Sequence, residues 1–192
     1  MVYDYEKAIE KWRIAKQKDE FYITWVAFSN NGEILATTSS EGKTVRLFST
    51  SDGSNLSTFT RGSFPANFNF LKFQWDDTRL VVSSDLGTVH IFIVDNKSSS
   101  VIQPKNAVSS FSFLKGLVPY LGKIGSFWKF KIDDPVSISI MPSLSCIISL
   151  SMYGKIYIGR INVEDGGEAE LEAVNTLNEH LVPSETVESL RL

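Results

Sequence analysis

The sequence has little cysteine and little excess charge. Cys146 is the single cysteine among 192 residues, which excludes an internal disulfide and the paired-cysteine spacing of a zinc site. The 19 Lys and Arg residues are outnumbered by 22 Asp and Glu residues, so the net charge is −3. The broad positive field that holds a nucleic-acid backbone is therefore missing, and any anion site must be local. We expect a cytoplasmic protein without a metal, a cofactor or a nucleic-acid partner.

Long hydrophobic runs are also missing. The longest uncharged run, residues 135–153, contains Pro142 and five serines, whereas a membrane-spanning helix needs about 20 consecutive, mostly apolar residues. The two halves of this run read VSISIM and SCIISL. Their β-type composition predicts two strands that meet at a turn at Pro142-Ser143.

Motifs of enzyme chemistry are absent from the sequence as well. It contains no phosphate-binding loop, dinucleotide-binding glycine motif or zinc motif. Ser84, Asp85 and His90 stand close together, but no nucleophile elbow surrounds them. We therefore predict a binding protein and not an enzyme.

A repeat of short β-type runs occupies most of the chain. The segment AFSNNGEILATTSSEGKTVRLF (27–48) aligns with KFQWDDTRLVVSSDLGTVHIF (72–92), and SIMPSLSCIISLSMYGKIYIG (139–159) is a fainter third copy. A glycine turn precedes the third strand of each copy. Further strands are predicted near 56–61, 128–132 and 169–177. A period of about 40–45 residues with four strands is typical of β-propeller blades, so we predict an all-β, WD-repeat-like propeller.

The predicted blades do not complete a ring. They lie near residues 1–61, 62–132 and 133–178, and residues 179–192 form a polar C-terminal tail. A seven-bladed ring at this period needs about 300 residues, so the chain holds about three to four blades. The sequence is then a fragment, a truncated product or one part of an assembly.

Two segments depart from the repeat. Residues 96–127 are inserted between the third and fourth strands of the second copy. In residues 5–19, Ala8, Ile9, Trp12 and Ala15 have helical spacing, which indicates a short amphipathic helix. The repeat instead requires strands before Trp25, and the sequence leaves both interpretations open.

Four stretches of the sequence resemble one known family. TTSSEGKTVRLF, FTRG, SSDLGTVHIF and FSFLKGLVPYLGKIGSFWKF, in this order, are similar to the C-terminal half of PROPPIN proteins. These are seven-bladed WD-repeat propellers that bind phosphoinositides in autophagy. The resemblance implies binding of phosphatidylinositol 3-phosphate, the 3,5-bisphosphate or both. It also implies autophagy proteins as partners and a peripheral position on preautophagosomal, endosomal or vacuolar membranes.

The resemblance implies two pockets beside an Arg-Arg-Gly motif, which reads Thr60-Arg61-Gly62 here. The second pocket carries over as Arg61, Gly62, Ser84, Thr88 and His90. The first pocket carries over as Ser39, Gly42, Lys43 and Arg46, where Lys43 replaces a threonine. Thr60 replaces the first arginine, and Asp19 stands where a histidine usually occurs, so that its carboxylate would repel a phosphate.

The chemistry of these residue types suits an inositol phosphate. The guanidinium of Arg61 would present paired donors to phosphate oxygens, and the hydroxyl groups of Ser84 and Thr88 would complete the shell. With its ordinary pKa of about 6.5, His90 would bind more strongly when protonated. Binding is therefore predicted to tighten as the pH falls towards 6.

The insert has the composition of an interfacial segment. Its apolar residues are interleaved with Lys115 and Lys123, and no acidic residue occurs from position 97 to 131, a pattern typical of membrane-inserting segments. The resemblance implies the same role. The residues predicted to insert are Leu117, Val118, Tyr120, Leu121 and Ile124. The alternative is that the insert packs back onto its blade.

Two functions remain open from the sequence. The first is a peripheral membrane adaptor that binds a 3-phosphorylated phosphoinositide through the second pocket and anchors through the insert. The second is a propeller fragment that has lost lipid binding and serves as a protein-interaction scaffold, which the missing arginine at Thr60 favours.

Overall fold

A computed structural model describes residues 2–4, 9–12, 22–94 and 124–177. These residues form β-strands, turns and loops without a helix, and so they include no helix that is long and apolar enough to cross a membrane. The all-β prediction is confirmed. The predicted tail, residues 179–192, lies outside the described part of the chain, as do residues 96–123 of the insert.

The strands follow the glycine-punctuated repeat. In chain order they are β1 (Val2–Asp4), β2 (Ile9–Trp12), β3 (Ile23–Phe28), β4 (Ile34–Ser39), β5 (Thr44–Ser49), β6 (Asn55–Thr60), β7 (Phe68–Phe73), β8 (Arg79–Ser84), β9 (Thr88–Ile93), β10 (Ile124–Gly125), β11 (Trp128–Lys131), β12 (Val136–Ser143), β13 (Cys146–Ser151), β14 (Lys155–Arg160), β15 (Gly167–Glu168) and β16 (Glu170–Thr176).

Three antiparallel four-stranded sheets contain most of these strands. We call β3–β6 the first blade, β7, β8, β9 and β11 the second blade, and β12, β13, β14 and β16 the third blade. Two short strands extend the outer edges: β10 pairs in parallel with β6, and β15 pairs in parallel with β11. The hairpin β1–β2 forms a separate two-stranded sheet.

Hydrophobic side chains from the two faces of the second blade fill two cores. Because side chains alternate along a strand, Leu80 and Val82 of β8 point to one face and Val81 to the other. Leu80 and Val82 pack in a core with Val45 and other residues of the first blade. Val81 packs in a core with Ile147 and other residues of the third blade. We call these contacts the first junction and the second junction.

The outward faces of the first and third blades are partly bare. Val26 and Phe28 of the first blade are exposed, as are Ile138 and Ile140 of the third blade. In contrast, the strands of the second blade bury apolar residues on both faces. This arrangement is consistent with a partial propeller, as the sequence predicts.

Of the two interpretations left open for residues 5–19, the structure supports a strand at residues 9–12, and one turn prediction is wrong. Residues 9–12 of the segment with helical spacing form β2, and Trp12 donates its indole N–H to the Thr50 carbonyl oxygen at 2.9 Å. Tertiary pairing therefore overrides the local spacing. The turn predicted at Pro142-Ser143 lies two residues later, because β12 extends through Ser143 before the chain reverses into β13. The two strands themselves are confirmed.

Candidate functional site

Arg61 follows the last residue of β6 and is only 8% exposed. Its Nε donates to the Gly42 carbonyl oxygen at 2.9 Å, and a terminal guanidinium nitrogen donates to the carbonyl oxygen of Phe64. Burial lowers the pKa of Arg61, although the nearby Asp85 carboxylate counteracts this effect. Arg61 thus ties the loop that enters the second blade to the glycine turn of the first blade.

His90 lies in β9 on the face of the second blade that meets the first junction, and it is 4% exposed. Burial lowers its pKa to about 3, and the positive charges of Arg61 and Lys129 act in the same direction. The expectation of an ordinary pKa near 6.5 is therefore wrong. A neutral imidazole, with its Nδ1 3.1 Å from the Ser126 hydroxyl, occupies this position from pH 8 to pH 5.

Ser84 and Thr88 lie on the same face as His90. Val82 pairs with His90 across β8 and β9, and continuing this register sets Ser84 opposite Thr88. The Ser84 hydroxyl is buried and has no hydrogen-bond partner among the described residues, whereas Thr88 is partly exposed. The structure therefore brings four of the predicted second-pocket residues, Arg61, Ser84, Thr88 and His90, to the first junction.

Two lysines at this face were missed by the sequence analysis. Lys129 pairs with His90 and Lys131 pairs with Thr88 across β9 and β11. Both lysines are exposed, while Trp128 and Phe130, which alternate with them along β11, are buried in the second junction. The alternation of apolar and charged residues in WKFK is visible in the sequence. Which residues lie opposite the two lysines depends on the pairing of β11 with β9, and the insert separates these two strands in the sequence.

One acidic residue also belongs to the site. Asp85 is close enough to Arg61 to act on its charge. Its two carboxylate oxygens accept hydrogen bonds from the backbone N–H of Asn67 at 3.0 Å and from its side-chain amide at 2.8 Å. Asp85 thus fixes the loop before β7 and removes part of the positive charge of the site. Since its oxygens bond Asn67, Asp85 does not orient His90 as a catalytic triad would require.

The predicted first-pocket residues are on the other side of the first blade. Arg46 pairs with Thr37, and both point away from the first junction, because the neighbouring Val45 and Leu47 of β5 point into it. Ser39 is buried on that same outward face. Lys43 lies 3.7 Å from Glu41, an ion pair that reduces its available charge. Asp19 lies outside the described residues.

The backbone of Gly42 connects the two predicted pockets. Its φ of 70° is in the left-handed region, and a Cβ there would overlap the backbone of Ala66. Its carbonyl oxygen accepts the Arg61 Nε–H. The structure therefore gives Gly42 a backbone role, whereas Gly62 has open space around the position of a Cβ.

The described end of the insert lies at the first junction. Ile124 and Gly125 form β10, which pairs with Phe59 and Thr60 at the end of β6. The hydroxyl of Ser126 then lies within hydrogen-bond distance of His90. The other predicted insertion residues, Leu117, Val118, Tyr120 and Leu121, lie outside the described residues. In the described part of the chain, no group of three His, Cys, Asp or Glu residues is arranged to hold a metal ion.

Comparisons with known proteins give the fold and the family. Autophagy-related protein 18 of Schizosaccharomyces pombe is 27% identical over 182 residues, which is 83% of this chain and 48% of that protein. Its namesake from Dictyostelium discoideum is 39% identical over 84 residues, 44% of this chain and 23% of that protein. The chain thus spans about half the length, or less, of these relatives.

Solved structures show the same fold at low identity. A complex of KlAtg21 with the coiled coil of AgAtg16 matches with a TM-score of 0.65 and 20% identity, over 92% of this chain and 48% of that chain. Kluyveromyces lactis Hsv2 with a complete loop 6CD matches with a TM-score of 0.62 and 20% identity, over 81% and 48%. The PROPPIN family model matches residues 2–119, more than half of the sequence. This chain therefore belongs to the PROPPIN family of β-propellers.

Proposed function

We propose that this chain is the part of a peripheral membrane adaptor that binds a 3-phosphorylated phosphoinositide at the first junction. The observation that carries this proposal is the convergence of Arg61, Lys129 and Lys131 with the described end of the insert. The two lysines face His90 and Thr88, and Ser126 contacts His90. A cationic site directly beside an apolar, lysine-containing segment suits a lipid head group at a membrane surface.

Each group has a defined part in the proposed site. A guanidinium has five N–H donors, and Arg61 commits two of its nitrogens to backbone carbonyls, which leaves donors for a phosphate. The exposed Lys129 and Lys131 add charge, although Glu168 lies 3.6 Å from Lys131. The buried Ser84 hydroxyl lacks a partner among the described residues. His90 contributes a neutral N–H or an acceptor and not a positive charge.

Two exposed apolar side chains support a membrane-facing rim at this site. Phe64, which is 78% exposed, lies in the loop that Arg61 holds through the Phe64 carbonyl. Leu86 is exposed at the turn between β8 and β9, next to Asp85. Because the bonds between Asp85 and Asn67 connect these two segments, both side chains are held on one edge of the molecule.

The relatives support a wider role in autophagy. Proteins named autophagy-related 18 and 21 match this chain, and KlAtg21 was solved with a coiled coil of AgAtg16. We place this chain in the same process, as a non-enzymatic scaffold with autophagy proteins as partners. Its proposed location is the cytoplasmic surface of preautophagosomal, endosomal or vacuolar membranes. Weak head-group binding combined with one inserted segment gives reversible recruitment through avidity.

A liposome flotation experiment tests the lipid site. Phosphatidylcholine vesicles with phosphatidylinositol 3-phosphate should float the wild-type chain, and vesicles with phosphatidylinositol 4-phosphate should float less of it. The double variant Lys129→Ala/Lys131→Ala should lower flotation by about tenfold or more, because each surface lysine attracts anionic lipid. Lys72→Ala removes another exposed lysine, outside the proposed site, and is the matched control. Equal flotation of the double variant would contradict the proposal.

A second candidate function is a protein-interaction scaffold without lipid binding. Asp85 beside Arg61 favours it, because a carboxylate repels a phosphate. The absence of flotation on both phosphoinositides, with the fold intact by circular dichroism, supports this candidate.

A further inference from the structure

A cavity of about 250 Å³ lies at the second junction, between the end of β7 and the middle of β12. Its apolar lining includes Phe73, Trp75, Met141 and Pro142. Trp75 is 71% exposed and follows β7, whereas Phe64 precedes that strand. Since six residues of strand span about 20 Å, the cavity is well separated from the rim formed by Phe64 and Leu86.

Gln74 gives this cavity an unused hydrogen-bond donor. Gln74 lines the cavity and is only 5% exposed, yet its Nε2 has no partner among the described residues. Its Oε1 accepts a hydrogen bond from Arg79 at 3.2 Å. Because the guanidinium donates only, this contact fixes the orientation of the amide and leaves Nε2 as the free end. A buried donor without a partner is costly and rare in folded proteins.

The charges around the cavity select an acidic partner. Lys72 is exposed at the cavity, and no acidic side chain in the described ranges forms an ion pair with it. Arg79 behind Gln74 is buried, lies over the Trp128 ring at 5.0 Å and forms no ion pair within the described residues, although the nearby Asp76 carboxylate acts on its charge. The cavity therefore combines one exposed cation, Lys72, with the unmet N–H donor of Gln74, and an acceptor oxygen is the complement of both.

The size and lining of the cavity limit further which kind of ligand can occupy it. Its volume is below the roughly 300–1,000 Å³ of pockets for drug-sized ligands, so it suits a single large side chain. Lys72 is the charged side chain that lines it, and a polyphosphorylated head group requires several such groups. An exposed tryptophan beside an apolar pocket is typical of an anchor for a protein partner.

We propose that the second junction is a docking site for a peptide segment of a partner protein. One aliphatic side chain of the peptide enters the cavity against Trp75 and Met141. A carbonyl or carboxylate oxygen of the peptide accepts from Gln74 Nε2, and an acidic group of the peptide pairs with Lys72. This site is separate from the lipid site proposed above and does not depend on it.

N-acetyl-leucinate is a small probe that carries all three features, and its titration into the ¹⁵N-labelled chain can be followed by NMR. The side-chain amide of Gln74 and the indole N–H of Trp75 should shift in a saturable way. A dissociation constant of about 1–10 mM is expected for a fragment of this size. N-acetyl-glycinate, which lacks the side chain, and N-acetyl-leucinamide, which lacks the carboxylate, should each bind several-fold more weakly.

Two variants test the assignment. Trp75→Ser changes an exposed side chain and should weaken binding of N-acetyl-leucinate without unfolding the chain. Phe64→Ser, the matched exposed aromatic at the other end of β7, should leave that binding unchanged. Equal shifts with N-acetyl-glycinate would reveal only an anion at Lys72 and would overturn the proposal. The absence of shifts at Gln74, or equal binding by Trp75→Ser, would overturn it as well.

Discussion

The two junctions of the second blade each bury one arginine, but the arginines have different neighbours. Arg61 at the first junction donates to two backbone carbonyls and lies near the Asp85 carboxylate. Arg79 at the second junction donates to a side-chain amide and stacks on Trp128. Burial lowers the pKa of both arginines, and a nearby carboxylate, Asp85 for Arg61 and Asp76 for Arg79, counteracts this effect. The residue type alone therefore does not define a site, because the first junction opens to exposed lysines and the second to an apolar cavity.

The alternation of β8 separates the two junctions chemically. Ser83 and Ser84 are adjacent, both are fully buried, and neither hydroxyl has a partner among the described residues. They point to opposite faces, Ser84 towards His90 and Ser83 towards the third blade. The same short segment thus supplies a polar group to each junction.

The largest effect on stability is expected at Gly42, because the first junction depends on its backbone. Gly42→Ala should lower the free energy of unfolding by about 3 kcal/mol or more, because a Cβ is strained at positive φ and overlaps Ala66. Urea denaturation measures this change. Gly62→Ala, where a Cβ meets nothing, is the control and should change stability by less than about 0.5 kcal/mol. Equal losses of stability in the two variants would show that the first junction does not depend on the backbone of Gly42.

The two arginines should differ in their contribution to stability. Arg61→Ala should cost about 2–4 kcal/mol, since it leaves the Gly42 and Phe64 carbonyls without this donor. Arg79→Ala should cost only about 1–2 kcal/mol, because it removes one bond and one ring contact while also removing a buried Nε without a partner among the described residues. The same urea titrations measure both. The reverse order would contradict the contrast between the junctions.

The pH dependence of the free energy of unfolding should show that His90 is buried at the first junction. The pKa of about 3 in the folded state is below the unfolded value of about 6.5. The unfolded state therefore binds more protons between these values, and the free energy of unfolding falls as the pH falls. From pH 7.5 to 5 the loss is about 2 kcal/mol.

The variant His90→Gln isolates this contribution, because it should lack that part of the pH dependence. Urea titrations of both proteins at pH 7.5 and 5 give the difference. Binding of vesicles with phosphatidylinositol 3-phosphate should not change through His90 from pH 8 to 6. If vesicle binding tightens towards pH 6 in the wild type but not in His90→Gln, His90 binds in its charged form, as the sequence analysis expects.

The smallest effect is expected at the rim of the first junction. Phe64→Ser/Leu86→Ser should lower flotation on vesicles with phosphatidylinositol 3-phosphate by about tenfold, because the exposed side chains would otherwise insert among lipid chains. Trp75→Ser is the matched control, since it removes an equally exposed aromatic beyond the other end of β7. If Trp75→Ser floats as poorly as the double variant, the rim is not the membrane-facing edge.

The sequence predicts the blades because their information is local. Period-two alternation and the glycines at positions 42, 87 and 154, each at positive φ, mark strands and turns within a few residues. The helical spacing at Ile9 and Trp12 misleads, because the partner strand and the contact with Thr50 cannot be read from that window.

The sites depend on longer-range information, and less of them is visible in the sequence. Family order brings Arg61, Ser84, Thr88 and His90 to one junction, but it does not reveal that Arg61 and His90 are buried. Lys129 and Lys131 are assigned to this face only by the register of β11 on β9, which spans the insert. The free donor of Gln74 becomes visible only when Arg79 is found on its Oε1.

The central claim is that a phosphorylated inositol binds at the first junction, and soluble inositol 1,3-bisphosphate tests it without a membrane. In an NMR titration of the ¹⁵N-labelled chain, we predict saturable shifts at the amides of Gly62, Thr88, Ser126 and Lys129. The Lys129→Ala/Lys131→Ala variant should weaken these shifts, while the amides of Lys72 and Ser139 at the second junction stay unchanged. The absence of shifts at the first junction, or shifts centred on the second, would contradict the account.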